Sequence, residues 1–277
     1  MTRPIDHVVT RRSETVLILG EFDGVHRGHR ALVDTALKYA KPLRAQVVAV
    51  VADRGEGIPR ITSVGRRCEL LLSLGVSSVF ALPLSGPADV PGALGPSLER
   101  LRPAIALVDR ESWPLQPRNV LSEYVTSIGT VLRDGDAVRD QSLGPINTAT
   151  VIDRIRGGDV GVAGDMLGRS FELVGATISP GSTSRSTGYQ TEMVVSAADA
   201  VVPPPGVYAA HTMIGRRWVG AALIIRPRVV VAHLINFAGP LPDAETSFRI
   251  VGRLRNEPAQ LTRSDVAAVM HVLEAKG

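Results

Sequence analysis

Cysteine is nearly absent from this chain of 277 residues, in which Cys68 is the single example. One cysteine excludes an internal disulfide framework and agrees with a reducing cytoplasm, where we expect the protein. Aromatic residues make up only 4%, which leaves little for stacking on nucleic-acid bases, and the basic residues are scattered. No apolar run approaches the roughly 18 residues that span a bilayer. We therefore expect neither nucleic acid nor a membrane as a partner; the sequence leaves the oligomeric state open.

The formal net charge is +4, with arginine as the main basic residue, which suits small anionic ligands. Up to about residue 165, buried strands alternate with helical patterns. The runs at 15–20, 45–52 and 76–84 predict strands, those at 27–40 and 63–75 predict helices, and a further helix and strand follow. This order predicts an α/β domain with a Rossmann-like, doubly wound parallel sheet.

The pattern changes after two short predicted helices in 146–168. Five strand-like runs follow, separated by clusters of proline, glycine and serine, and 262–277 has the pattern of a capped terminal helix. Short strands at nearly regular spacing predict an antiparallel β-barrel. We place the domain boundary between residues 164 and 165, which gives domains of residues 1–164 and 165–277.

The segment "GEFDGVHRGH" holds the densest chemistry, between the strand at 15–20 and the helix that begins near residue 27. A glycine-rich turn at a helix N-terminus presents backbone N–H groups and the positive end of the helix dipole, which together bind phosphate. Two imidazoles beside it, His26 and His29, can stabilise charge while a phosphoanhydride is exchanged. No protein nucleophile is needed, because an acceptor phosphate can attack the α-phosphorus of a nucleotide directly.

This segment resembles the nucleotide-binding signature of bacterial bifunctional riboflavin kinase/FAD synthetases, within the His-x-Gly-His nucleotidyltransferase superfamily. The resemblance extends through "SVGRRCELLLSLGVSSVFALPL", "RGGDVGVAGDMLGRSFELVGATI", "PPPGVYAA", "VVVAHLINF" and "RLRNE". In that family the first domain adenylates FMN from ATP and the second phosphorylates riboflavin, both with Mg²⁺.

The resemblance implies that His26 and His29 hold the triphosphate and stabilise the developing charge. It also implies nucleotide binding by Gly20, Phe22, Asp23, Gly24, Gly28 and Thr148. Asp23 either orients the turn or approaches the metal, and the sequence singles out no metal ligand. Further candidates for substrate binding are Asp109, Arg110, Trp113, Arg185 and Thr191. The segment 109–114 contacts a substrate or is a solvated loop, and 179–188 is a mobile loop or holds phosphate through Arg185.

Several working positions depart from the family pattern. "VVADRGEG" stands where the family has Thr-x-x-Pro-His, and "VDRESWP" stands where it has a flavin-facing motif. At the family's Ser-Ser-Thr-x-x-Arg motif the chain reads "INTATVI", so Ile152 takes the place of the arginine that faces the phosphates. Arg154 and Arg156 lie on other faces of the predicted helix. In the kinase half, Gln190 and Met193 replace a proline and an asparagine, and Val231 replaces the catalytic glutamate. The resemblance therefore implies a degenerate kinase domain.

Three functions remain open. The first is an FAD synthetase-like transferase that moves AMP from ATP to FMN or a related phosphorylated acceptor, with Mg²⁺. The second is a regulatory protein that binds flavin or nucleotide without turnover. The third is a repurposed enzyme that acts on another metabolite or cleaves a phosphoanhydride. The retained histidines and glycines favour the first, whose partners are small nucleotide and flavin-like molecules.

Overall fold

The computed structural model describes residues 14–55, 57–83, 90–109, 123, 125–180, 192–196, 200–227, 229–237 and 245–276. The chain divides into two compact units. The first comprises Met1–Ile58 and Thr62–Thr148, and the second comprises Pro59–Ile61 and Ala149–Gly277. The predicted boundary between residues 164 and 165 lies later along the chain than this division and falls within a helix, Val160–Leu167, that groups with the second unit.

The first unit is the predicted α/β domain. Its described strands and helices are β1 (Thr15–Gly20), α1 (Arg27–Leu43), β2 (Gln46–Asp53), α2 (Val64–Ser73), β3 (Ser78–Pro83), α3 (Val90–Leu101), β4 (Ile105–Val108), β5 (Val131–Asp134), β6 (Arg139–Asp140) and β7 (Gly144–Pro145). The first five described strands form one parallel sheet in the order β3-β2-β1-β4-β5. This confirms the predicted Rossmann-like fold.

Strand β1 shows why an unbroken apolar run becomes the centre of this sheet. All six of its residues are buried. Leu17 and Leu19 belong to one apolar cluster, whereas Val16 and Ile18 belong to another on the opposite face. Successive side chains of a strand point to opposite faces, so a strand that is covered on both faces must be apolar throughout.

The strand order reverses at β1, because the chain proceeds from β1 to β2 and β3 on one side and to β4 and β5 on the other. Sheets of this kind bind ligands outside the carboxyl ends of their strands at such a reversal. Leu19 pairs with Val108 across β1 and β4, and the backbone N–H of Asp109 donates to the Leu19 carbonyl at 3.0 Å. The turn after β1 and the residue after β4 therefore meet at this edge.

The second unit is the predicted β-barrel with its terminal helix. Its described elements are α4 (Thr148–Gly157, which begins at the last residue of the first unit), α5 (Val160–Leu167), β8 (Phe171–Pro180), β9 (Glu192–Ser196), β10 (Gly206–Ile214), β11 (Arg217–Arg226), β12 (Val229–Leu234), β13 (Glu245–Arg255) and α6 (Arg263–Lys276). The strands close in the order β10-β11-β12-β9-β8-β13, with β13 paired to β10. Closure removes the exposed strand edges that an open sheet presents.

Helix α6 covers part of the outer barrel face. Val207 and Ala209 of β10 join Ala222 and Ile224 of β11 in an apolar cluster that also contains Val266 and Val269 of α6. The intervening residues of each strand point the other way. In the described part of the chain, no helix has the length and apolar character needed to cross a membrane.

Strand β13 is absent from the strands that the sequence predicted. Its buried residues Thr246, Phe248 and Ile250 alternate with Glu245, Ser247 and Arg249. That alternation provides no continuous apolar run, although it is typical of a strand with one solvated face. The short strands β5, β6 and β7 were also missed, because partly exposed edge segments carry little apolar pattern.

Candidate active site at the carboxyl end of the parallel sheet

His26 begins helix α1 as its N-cap. Its Nδ1 accepts hydrogen bonds from the backbone N–H groups of Gly28 at 3.1 Å and His29 at 3.4 Å. These are first-turn donors that have no partner inside the helix. Because Nδ1 is used as an acceptor, the ring carries its proton on Nε2. The local sequence thus fixes both the orientation and the tautomer of this imidazole.

The Nε2 side of His26 faces Thr148. The Thr148 Oγ1 lies 3.4 Å from His26 Nε2 and donates to the Asp23 carbonyl, also at 3.4 Å. His26 is 3% exposed, but it lines a cleft in the first unit. An imidazole N–H is therefore held at the cleft with a hydroxyl beside it.

His29 lies behind His26 and not in the cleft wall. Its side chain is 1% exposed, and its Nε2 lies 2.8 Å from Asp109 Oδ2. The two imidazoles stack at 3.7 Å between centroids and 19° between planes, and Phe22 packs against His29 at 5.2 Å. The structure thus separates the roles of the two histidines, which the family resemblance had given a shared contact with the triphosphate.

Asp23 points into the protein, toward the segment that precedes α2. Its Oδ1 accepts from the Thr62 backbone N–H at 2.9 Å and from Thr62 Oγ1 at 3.2 Å, and it pairs with Arg67 Nη2 at 2.9 Å. The Gly24 N–H donates to Thr62 Oγ1 at 2.9 Å. Asp23, Thr62 and Arg67 are all buried. Of the two predicted roles for Asp23, this geometry favours orienting the turn.

Three residues of the turn have positive φ. Phe22 adopts φ = 54°, Gly24 adopts φ = 80° and Val25 adopts φ = 40°, a left-handed region that favours glycine. A Cβ on Gly28 would lie 2.9 Å from the ring atoms of His26 and 2.9 Å from the Ile146 carbonyl oxygen. Only glycine at position 28 therefore lets the imidazole fold back onto its own helix. Phe22 is fully buried in the core and does not line the cleft.

The cleft has a volume of about 210 Å³, below the roughly 300–1,000 Å³ of typical ligand pockets. Its walls are His26, Gly28, Leu32, Asp109, Asp134, Gly135, Asp136, Ala137, Val138, Ile146, Asn147 and Thr148. No lysine or arginine is among these described lining residues. The cleft is therefore built from a helix terminus, one imidazole, carboxylates and small polar groups.

An ion pair lies next to the turn, at the residue before Phe22. Glu21, directly before Phe22, pairs with Arg54. Burial raises the pKa of Glu21, and the attraction of Arg54 and Arg67 only partly offsets this. The Arg67 Nη1 also donates to the Glu21 carbonyl at 3.1 Å. Arg67 thus contacts the turn at two points, the Glu21 carbonyl and the Asp23 carboxylate.

The predicted site residues have three different outcomes. His26, Gly28, Asp109 and Thr148 line the cleft, whereas Gly20, Phe22, Asp23, Gly24 and His29 form the structure behind it. Arg110, Trp113, Arg185 and Thr191 lie outside the described residues. Sequence reasoning missed Thr62 and Arg67, and it also missed the cleft wall contributed by residues 134–138. Thr62 precedes α2 and Arg67 lies within it, and neither belongs to a recognisable motif. Residues 134–138 begin at the end of β5, a strand without an apolar run.

Val231, which is predicted to replace the catalytic glutamate of the kinase, lies in apolar surroundings in the barrel. Val231 of β12 pairs with Ile224 of β11 and packs against the apolar cluster that contains Val266 and Val269. In the described part of the chain, no group of three histidine, cysteine, aspartate or glutamate side chains is arranged to hold a metal ion.

This chain is similar to known proteins in both sequence and fold. A family model described as FAD synthetase matches residues 9–86. A bifunctional riboflavin kinase/FMN adenylyltransferase from Pseudomonas fluorescens is 25% identical over 279 residues, which cover 87% of this chain and 85% of that protein. The crystal structure of a macrolide-efflux protein from Streptococcus pneumoniae shares the fold, with a TM-score of 0.73 and 18% identity over 96% of this chain and 94% of that chain.

The Rossmann-like sheet with its His-x-Gly-His turn and the closed barrel have the two-part architecture that the resemblance predicts. The family model and the Pseudomonas relative both support a divergent relationship to the bifunctional riboflavin kinase/FAD synthetase family. The resemblance inferred from the sequence is thereby confirmed.

Proposed function

We propose that this protein is a nucleotidyltransferase that moves AMP from ATP to FMN or a related phosphorylated acceptor. One observation carries the proposal: His26 is fixed as the cap of α1 with its Nε2–H at a cleft, at the strand-order reversal of the sheet. Phosphates bind at such helix termini. Similarity to the FAD synthetase family model and to a bifunctional riboflavin kinase/FMN adenylyltransferase supports ATP and FMN as the substrates.

In the proposed reaction, an oxygen of the acceptor phosphate attacks the α-phosphorus of ATP. A phosphorus–oxygen bond to the acceptor forms as the α–β bridging bond breaks, and pyrophosphate leaves with the bridging oxygen. Negative charge grows on the oxygens around the α-phosphorus and on the leaving group. The His26 Nε2–H donates to that charge, and the Thr148 hydroxyl is next to it. Donors that are oriented before the reaction stabilise a transition state without further reorganisation.

Mg²⁺ is the metal that the family implies. Asp134 and Asp136 both line the cleft, and carboxylate oxygens are ligands that Mg²⁺ accepts. Among the described residues no three-residue metal cluster is preformed. Mg²⁺ commonly binds through one or two carboxylates together with substrate phosphates, so these residues fit an ion that enters with the nucleotide. Bound there, it would neutralise phosphate charge.

A second candidate is a binding or regulatory protein. Two observations favour it: Ile152 stands at the position of the family arginine, and no lysine or arginine is among the described residues of the cleft wall. Loss of an arginine that faces a transferring phosphate removes an important stabilising charge. A repurposed enzyme with another acceptor would share these features and differ only in its product.

We further propose that the barrel has no riboflavin kinase activity. Val231 supplies no carboxylate to take the proton of a hydroxyl, and its apolar contacts leave no charged substitute next to it in the described cluster. The barrel is then a stable domain without the general base of the family.

The test is to incubate the purified protein with ATP, Mg²⁺ and FMN and to follow FAD and pyrophosphate by chromatography. We expect both products from the parent, and a fall of about 10²–10³-fold in kcat for His26→Ala, which removes one oriented donor. His271→Ala is the matched control, because this histidine is exposed on α6, and it should react like the parent.

Two other results would decide against the first function, and a third would change only its mechanism. Binding of ATP or FMN without product would identify a regulator. Pyrophosphate release with another phosphorylated acceptor and not with FMN would identify a repurposed transferase. Equal activity of His26→Ala and the parent would remove His26 from the mechanism.

A further inference from the structure

The stacked histidines connect the cleft to a residue on the neighbouring strand. We propose that Asp109 is a positioning residue for His26 and acts through His29. The inference rests on the proposed function for its catalytic meaning, although its structural part is independent of turnover. It differs from the expectation that both histidines contact the triphosphate and that Asp109 contacts the substrate.

The position of Asp109 is determined by the sheet. It follows β4 directly, and its backbone N–H donates to the Leu19 carbonyl of β1 at 3.0 Å. Its side chain is 16% exposed and reaches His29 Nε2 at 2.8 Å. A carboxylate at the end of a central strand is a more rigid support than one on a free loop.

His29 depends on this one hydrogen bond for its orientation. Its ring is buried, and its Nδ1 has no hydrogen-bond partner among the described residues. The carboxylate of Asp109 accepts, so His29 carries a proton on Nε2. Without Asp109 neither nitrogen would have a partner in the described structure, and no polar contact would distinguish one ring orientation from its flipped alternative.

The orientation of His29 matters because its ring supports that of His26. The two ring centroids lie 3.7 Å apart, and the ring planes are within 19° of parallel. The stack fixes one face of His26, and the helix cap fixes its Nδ1 edge. Together they aim Nε2 at the cleft. The sequence of contacts is therefore β4, Asp109, His29, His26 and then the substrate.

A competing role for Asp109 would be direct coordination of Mg²⁺ or a ribose hydroxyl, since it also lines the cleft. The two roles predict different behaviour for Asp109→Asn. Asparagine keeps an oxygen that accepts from His29 Nε2–H and loses the negative charge. A positioning role should therefore survive this substitution largely intact, whereas a metal-binding role should not.

The decisive measurement is a long-range ¹H–¹⁵N NMR spectrum of the imidazoles at neutral pH, which reports the tautomer of each ring. In the parent we expect single tautomers with Nε2 protonated for both His26 and His29. In Asp109→Ala we expect altered or averaged signals for both rings, and in Asp109→Asn signals close to the parent. Asp34→Ala, which removes an exposed carboxylate from the same helix, is the control and should match the parent.

Kinetics add a second readout. Loss of supporting contacts behind an active group lowers activity by about 10–100-fold, so we expect Asp109→Ala to lower kcat by that factor with little change in KM for ATP, and Asp109→Asn to recover most of it. A His26 spectrum unchanged in folded Asp109→Ala would overturn the proposal. So would an Asp109→Asn variant with raised KM and unchanged kcat, which would make Asp109 a ligand. A parent without FAD synthesis would reject the proposed function but leave the NMR test valid.

Discussion

The two units distribute their buried polar side chains differently. In the parallel-sheet unit, Asp23, His26, His29, Thr62 and Arg67 are all buried, and they connect with one another around a single turn. In the barrel, two buried carboxylates each pair with an arginine of β13. Glu172 of β8 pairs with Arg249, and Asp265 of α6 pairs with Arg255.

This difference indicates where chemistry is concentrated. Burying a polar group is unfavourable unless it is hydrogen-bonded, so a chain that buries several together at one sheet edge maintains a costly arrangement. Active sites are places where such arrangements are typical. Val231, which the family resemblance predicts to replace the kinase base, packs instead against an apolar cluster of the barrel. The first unit thus has a connected group of buried polar side chains, whereas the barrel has apolar packing around Val231.

The largest expected effect distinguishes the buried ion pairs of the two units. Asp23→Ala leaves the Arg67 guanidinium buried without its carboxylate, because their side chains are only 7% and 6% exposed. Loss of one partner of such a pair costs about 3–5 kcal/mol. Asp265→Ala in the barrel should cost less, about 1.5–3 kcal/mol, because Arg255 is 27% exposed and water can reach it. Calorimetric unfolding measures both, and a larger loss for Asp265→Ala would contradict the comparison.

A second pair of variants compares two glycines. Gly28→Ala would place a Cβ 2.9 Å from His26, and Gly206→Ala would place one 2.6 Å from the Arg255 carbonyl oxygen. Overpacking costs about 1–3 kcal/mol, so both should lower the melting temperature. Only Gly28→Ala should also reduce FAD formation more than the stability loss explains. Gly65→Ala, inside α2 with open space around its Cβ, is the control and should stabilise the protein by up to about 1 kcal/mol.

A third variant tests whether a carboxylate at position 231 gives the barrel kinase activity. Val231→Glu places a charge against an apolar cluster, and we expect a loss of about 1–3 kcal/mol in unfolding free energy with no phosphorylation of riboflavin. Val231→Thr should cost less and be equally inactive. Riboflavin phosphorylation is followed by chromatography of FMN. Appearance of FMN with Val231→Glu would show that the rest of the kinase site had survived.

The smallest expected effect is on the stability of the protein at low pH. Hydrogen bonds from the Ser142 side chain and backbone, then from Arg27, lower the pKa of Asp140 in the first unit to about 2. In the barrel, burial raises the pKa of Asp265, but hydrogen bonds from Arg255 and Thr262 outweigh it and the net shift is downward. A carboxyl with a depressed folded-state pKa contributes stability that is present above its unfolded pKa and lost as the pH falls through the folded value.

Both contributions should therefore be present at about pH 5, where unfolded aspartates are mostly ionised, and should diminish as the pH falls from there. Melting temperatures between pH 5 and pH 2 for the parent, Asp140→Asn and Asp265→Asn measure them. Because Asp140 lies at the surface, its variant should differ little from the parent at any pH. A curve for Asp140→Asn well below that of the parent at pH 5 would be inconsistent with this.

Much of the fold could be predicted from local patterns. The all-apolar run at 15–20 requires cover on both faces, and it became the centre of the parallel sheet. The helices at 27–43 and 64–73 followed from their spacing of apolar residues. Strand β13 could not be recognised in the same way, because its alternating charged residues are compatible with a loop until neighbouring strands pair with it.

The candidate site was predictable only in part. His26 and Gly28 are adjacent in sequence, and their geometry follows from capping a single helix. Asp109 meets His29 across a separation of 80 residues, which depends on β4 lying beside β1. Arg67 meets Asp23 because α2 returns to the turn after β1. No local pattern contains these distances.

The sequence by itself determined the parallel sheet, the barrel and the family resemblance, since each depends on neighbouring residues or on motif spacing. Tertiary structure alone decided the direction of the side chains at the turn. It turned Asp23 inward to Arg67, placed His29 behind His26, and brought Asp109 to the His29 ring. The physical reason is that a buried polar group takes the partner that the packing of distant strands and helices provides.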